Sequence, residues 1–232
     1  MGRGGLTGRS LKKKVLDLLK SEDLDLAIDQ LCQLPSRHVI NPLFSFLYNR
    51  DEQIKWRTVT AMGAIVGRLA DEDMESARVI IRRLMWNLND ESGGIGWGSP
   101  EAMGEILACQ ETLAKEYSQI LTSYAREDGN FQEHPLMQRG VLWGIGRLAQ
   151  ANPEMLIDAV PYLIPYLDSS DATVRGLAVR ILGLLGIEEV RAKLGQLAED
   201  ESALKIYIDR RLIKCKVKEL AEEALGKEKE QD

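Results

Sequence analysis

The chain has 232 residues, 44% of them hydrophobic, 28% charged and 6% aromatic, with a formal net charge of −6. That balance suits a chain able to bury a sizeable core, and the scarcity of aromatic and β-branched clusters argues against an all-β fold. No apolar run approaches the ~18 residues that span a bilayer, and the basic start MGRGGLTGRSLKKK lacks the apolar stretch of a secretory signal. Cys32, Cys109 and Cys215 suit neither a disulfide framework nor metal-ligand spacing, so a cytoplasmic, cofactor-free protein with buried, reduced thiols is expected.

Residues 1–10 read as a flexible basic leader, residues 11–225 as the folded body and residues 226–232 as a flexible charged tail. Arg3, Arg9, Lys12, Lys13, Lys14 and Lys20 are set against only Asp17 in residues 1–20, which leaves a strongly acidic body behind them. Along that body one helix pattern recurs. Starting from Asp51, apolar or small residues fall at Ile54, Thr58, Met62 and Ile65, with Gly63 between the last two. From His134 the same places hold Met137, Val141, Ile145 and Leu148, with Gly146; from Asp171 they hold Val174, Ala178, Leu182 and Leu185, with Gly183. Ser99 opens a poorer copy (Ala102, Ile106, Gln110, Leu113), and Ser21 and Asp200 open the weakest two. Each start offers a cap and each stripe has helical period. A first helix precedes each one; ahead of Asp171 it opens at Pro161 and shows Leu163, Ile164 and Leu167 on one face. A single helix pair cannot bury its own apolar face and must stack on neighbours. The expected fold class is therefore all-α, an α-solenoid of about six helix pairs.

The stretch LDSSDATVRGLAVRILGLLG resembles a HEAT repeat of the short, phycobilisome-lyase type. RRLMWNLNDESGGIGWGSPEAMGEILA and EDGNFQEHPLMQRGVLWGIGRLA resemble a subfamily of small stand-alone bacterial HEAT proteins without an assigned activity. The resemblance implies a HEAT-like superhelix and no reaction.

The middle of the chain departs from a plain repeat. Residues 89–99 form a long connection holding Asp90, Glu91, Gly93, Gly94, Gly96, Trp97 and Gly98, ahead of a helix start at Ser99-Pro100-Glu101. Ser99 reads as the cap, with Glu101 and Glu105 near the positive end of the helix dipole. GGIGWG meets neither the dinucleotide nor the P-loop fingerprint, and the acids around it oppose a bare phosphate. It reads as a loop shaped for packing or as a recognition loop. On the second helices, one column carries Trp56, Gly104, Arg139, Gly176 and Lys205, and another carries Thr60, Ala108, Trp143, Arg180 and Asp209. Trp56, Arg139 and Trp143 around a low floor of Gly104 and Ala108, with Trp97 above, would make an aromatic-walled notch on the concave surface. The alternative is that these indoles fill gaps between helices. Residues 125–135 form a second loop; His134 reads as a helix cap and His38 as part of a loop.

No HExxH, GxSxG or activated Cys is present. The residues point to a non-enzymatic scaffold with a protein partner, bound at Trp56, Asp90, Glu91, Gly93, Gly94, Gly96, Trp97, Gly98, Glu101, Gly104, Arg139, Trp143 and Arg180. Two alternatives remain. One is a nucleic-acid binder or HEAT-like DNA glycosylase, which could use Trp86 and Asp90 and which Lys55, Arg57, Arg139, Arg180, Lys205, Arg210 and Arg211 keep open against the acidic body. The other is a lyase-like chaperone for a chromophore.

Overall fold

The computed structural model describes residues 8–89 and 96–226. Twelve α-helices and one two-stranded hairpin lie among them, in two compact units, residues 1–102 and 103–232. The leader and tail expected at residues 1–10 and 226–232 fall mostly outside the described residues, but the first helix already opens at Gly8 and the last runs to Gly226.

In the first unit α1 (Gly8–Leu19), α2 (Leu24–Cys32), α3 (Ser36–Phe46), α4 (Glu52–Glu72) and α5 (Met74–Leu88) pack in sequence, with α4 touching each of the other four. α4 starts where the pattern placed it: Asp51 Oδ1 accepts from the Gln53 amide at 2.9 Å and the Ile54 amide at 3.4 Å. Its stripe of Ile54, Thr58, Met62 and Ile65 is buried, and Thr58 returns its hydroxyl to the Ile54 carbonyl, so the one polar member is satisfied. His38 lies inside α3 and not in a loop, because Pro35 opens the helix one residue before Ser36.

The second unit holds most of α6 (Ser99–Cys109), then α7 (Glu111–Ser123), α8 (Pro135–Ala151), α9 (Val160–Leu163), α10 (Ala172–Leu184) and α11 (Arg191–Leu197). It ends in β1 (Ala203–Ile208), β2 (Arg211–Lys216) and α12 (Val217–Gly226). α8 is capped by His134, whose Nδ1 accepts from the Leu136 amide at 3.2 Å; α10 is capped by Asp171, whose Oδ1 accepts from Thr173 at 2.8 Å. The α6 copy stops at Cys109, and Gln110 caps α7 instead, which is why its stripe failed at that point. The glycines near the end of the His134 and Asp171 patterns have a packing reason. A Cβ on Gly183 would stand 2.4 Å from Ala224 Cβ, and one on Gly146 would stand 3.3 Å from Ile181 Cγ1.

Two expected helices fail here. The first helix of the Asp171 pair is broken into 3₁₀ turns at Pro153–Ala159 and Ile164–Asp168 around the four residues of α9. Pro153, Pro161 and Pro165 each remove a backbone donor, so a continuous helix ladder cannot form. Leu163 and Leu167 are buried as expected, but Ile164 is exposed. The second failure is larger. Asp200 does not start a helix; it starts the β1–β2 hairpin, and Lys205 and Asp209 therefore belong to no helical column. Ile206, Tyr207, Ile208 and Ile213 favour the extended chain, and Leu204 and Ile206 bury on period two. The helix that packs on α10 in this last pair is α12, with Val217, Leu220, Ala221 and Ala224 buried. The cysteines are free, but Cys109 is exposed and Cys32 and Cys215 are half-buried, so the thiols are not the deep core residues expected.

Candidate functional site

Asp90, Glu91, Gly93 and Gly94 lie outside the described residues. The rest of the expected set divides between the two units.

In the first unit, Gly96, Trp97 and Gly98 form the turn that leads into α6. The Ser99 amide returns to the Gly96 carbonyl at 2.9 Å, and the Ala102 amide to the Gly98 carbonyl at 2.9 Å. Gly98 has φ +80°, and a Cβ there would lie 2.5 Å from the Leu47 carbonyl oxygen; the turn demands glycine for both reasons. Gly98 thus holds the cap position, and Ser99 is the first helical residue and not the cap. Ser99 is fully buried and among the described residues its Oγ has no hydrogen-bond partner; Glu101 is 3% exposed and its Oε2 has none among them either. The other oxygen, Oε1, accepts from Lys55 Nζ at 2.6 Å, and that ammonium stands 5.0 Å from the centre of the Trp56 ring. Trp97 leaves 43% of its surface in water.

Trp86, near the end of α5, leaves 74% of its surface in water, although it was not in the expected partner-binding set. A signal existed: Ala77, Ile80, Ile81, Leu84 and Leu88 make the buried face of α5, and Trp86 lies off it, one heptad after the exposed Val79.

The second unit treats its members differently. A Cβ on Gly104 would lie 2.2 Å from Gly144 Cα, so Gly104 is where two helix backbones meet and is not an open floor. Trp143 is 7% exposed, donates Nε1–H to the Tyr207 carbonyl at 2.7 Å, and tilts against the Tyr207 ring at 6.2 Å between centres. Arg139 donates Nε and Nη2 to Asp171 Oδ2 at 2.9 and 2.5 Å. Arg175 does the same to Asp200 Oδ2 at 3.0 and 2.7 Å. A base in the first turns of one second helix thus reaches the leading acid of the next repeat. Burial opposes both carboxylates, but the arginine bonds and the amides of Val174 and Thr173, or the hydroxyl and amide of Ser202, hold Asp171 and Asp200 below the usual carboxylate range.

Glu105, 8% exposed, accepts from Arg147 Nε at 2.8 Å. Burial raises its pKa even though Arg147 and Arg210 favour the charged form. Arg180 is half-buried and lines a shallow depression with Gly183, Leu220 and Glu223. Among the described residues no group of three or more His, Cys, Asp or Glu could hold a metal ion. No helix among them is long and apolar enough to cross a membrane.

Comparison with known proteins bears on the fold. Residues 135–185, spanning α8 to α10, match the family model described as HEAT-like repeat. A protein of Archaeoglobus fulgidus, described as uncharacterized, is 27% identical over 187 residues, covering 77% of this chain and 91% of its own length. Among solved structures, the crystal structure of an engineered protein superposes with a TM-score of 0.55 at 17% identity over 95% of this chain and 96% of that one. A designed armadillo repeat protein gives 0.53 at 18% over 93% and 98%. Another designed armadillo repeat protein, in complex with peptide (KR)4, gives 0.51 at 19% over 93% and 98%. The chain is an α-solenoid of the HEAT and armadillo fold type, carrying a HEAT-like repeat at residues 135–185.

Proposed function

We propose that the chain is a non-enzymatic scaffold that grips a protein partner on its first unit, at the turn Gly96–Gly98 and the adjoining Trp56 and Glu101, with Trp86 added to the expected set. One observation carries the reading: Trp86 and Trp97 expose 74% and 43% of their surface on either side of residues 90–95 in the chain. An indole left in water forgoes its burial free energy, and exposed tryptophans are typical anchors of interfaces. The fold supports the class, since a designed armadillo protein of similar fold holds a peptide.

Nucleic-acid binding is less well supported. Lys55 is engaged by Glu101, Arg57 by the carbonyls of Leu19 and Ser21, Arg139 by Asp171 and Arg175 by Asp200, so few of the bases near the helix starts are available to phosphates. The reading is tested by capture of partners from the native cell with the wild-type chain and with Trp86→Ala/Trp97→Ala. The double variant should lose the partner while its far-ultraviolet circular dichroism is unchanged; undiminished capture would refute the reading.

A further inference from the structure

We propose that the Ala203–Lys216 hairpin docks an extended segment of a partner protein in which acidic and apolar residues alternate, laid along the outer edge of β2. The proposal rests on the reading of the chain as a protein-binding scaffold and names one kind of partner. In a chain of net charge −6, these fourteen residues carry Lys205, Arg210, Arg211, Lys214 and Lys216 against the single acid Asp209. The register sets Lys205 directly opposite Lys214, and both are exposed. Like charges placed opposite each other weaken a hairpin. The turn adds a second cost: Asp209 and Arg210 both take left-handed backbone, at φ 47° and 62°, in a two-residue connection that favours Asn-Gly. Positive charge is thus held on this ribbon at two separate places where local chemistry disfavours it.

The geometry defines the occupant. Ile208 and Arg211 close the turn, so pairs alternate from there and the N–H and C=O of Leu212 and Lys214 point away from β1. The sheet has two strands only, and among the described residues these outward groups take no backbone partner. Lys205, Lys214 and Lys216 share one face of the ribbon, while Arg211 and Ile213, the latter 37% exposed, flank the β2 edge on the other. Lys216 is tied to Glu201, whereas Arg211 and Lys214 form no ion pair among the described residues. A strand added to β2 would set its acids against the lysine face and its apolar residues beside Ile213. Edge lysines also serve to prevent strand pairing, but that purpose needs no second lysine opposite the first. Duplex nucleic acid fits less well, because its charge runs on past a six-residue strand over a chain of net negative charge.

The test is fluorescence anisotropy of the full chain with a labelled peptide of alternating Glu and Val, its Lys-for-Glu counterpart, and a DNA duplex. The Glu peptide should bind, more weakly as salt rises, and the Lys peptide should not. Arg211→Glu/Lys214→Glu should reduce Glu-peptide affinity tenfold or more. Lys214→Glu alone should raise the melting temperature, because it turns the Lys205–Lys214 repulsion into an attraction; loss of binding in a more stable protein separates docking from folding. No binding of the Glu peptide, binding untouched by the double variant, or tighter binding of DNA would each overturn the proposal. If that happens while Trp86→Ala/Trp97→Ala still abolishes partner capture, only the hairpin assignment falls and the scaffold reading stands.

Discussion

Tryptophan meets opposite surroundings in the two units. In the second, Trp143 is 7% exposed, its N–H is given to Tyr207 and its ring lies against that residue. In the first, Trp97 and Trp86 are 43% and 74% exposed, and close by in sequence the buried Ser99 Oγ and Glu101 Oε2 have no partner among the described residues. Three of the groups considered in the helices of the second unit are met by their own chain: Gly104 by Gly144, Arg139 by Asp171, Glu105 by Arg147. The lesson is that residue type alone does not separate a structural group from a binding group. What separates them is whether the fold itself supplies the burial and hydrogen bonds that the side chain demands.

The comparison breaks most visibly at Gly104. Gly104→Ala should destabilise the protein by about 3 kcal/mol, the upper range for overpacking, because the new methyl meets backbone that cannot rotate away. A urea midpoint close to that of the wild type would show that the helices are not in contact there. Next comes Arg175→Ala. It leaves the mostly buried Asp200 carboxylate without its bidentate partner and should cost about 2 kcal/mol in the same measurement.

A smaller effect depends on pH. Asp171 and Asp200, held below the usual range, add stability that is complete above about pH 4, near the unfolded carboxylate value, and is lost as the pH falls through their depressed values. Glu105 runs the other way. Its raised pKa means a contribution that is complete below about pH 4.3 and lost as the pH rises through the folded value. The stability of the wild type relative to Glu105→Gln should therefore increase when urea unfolding is repeated at about pH 5 instead of about pH 7. A constant difference would contradict the burial assigned to this carboxyl. The smallest effect is expected where the comparison places function: Trp97→Ala should change stability by less than about 0.5 kcal/mol, as for a surface residue. A large loss would move Trp97 into the packing group with Trp143.

Much of the fold was legible because helix starts carry their own chemistry. Asp51, His134 and Asp171 each cap a helix in the structure, and the stripes that follow them are buried except at Leu185, which lies just past the end of α10. Strands at residues 203–216 were missed because a short apolar run does not distinguish a strand from a buried helix turn. The broken helix before Asp171 was available in Pro153, Pro161 and Pro165, whose missing donors outweighed the apolar spacing. The site was legible only in part. Columns drawn along idealised helices gave each side chain a direction but not its neighbour, and Trp143 and Arg139 found theirs at Tyr207 and Asp171, 64 and 32 residues away. Trp86 was readable from its place off the α5 stripe.

The most direct test of where the chain works is a hydrogen-exchange footprint of the complex purified from the native cell, compared with the free chain. Partner binding should slow exchange at residues 84–101, around Trp86 and Trp97, and leave α8 and α10 as they are. Protection confined to residues 135–185, with none at Trp86 or Trp97, would contradict the assignment.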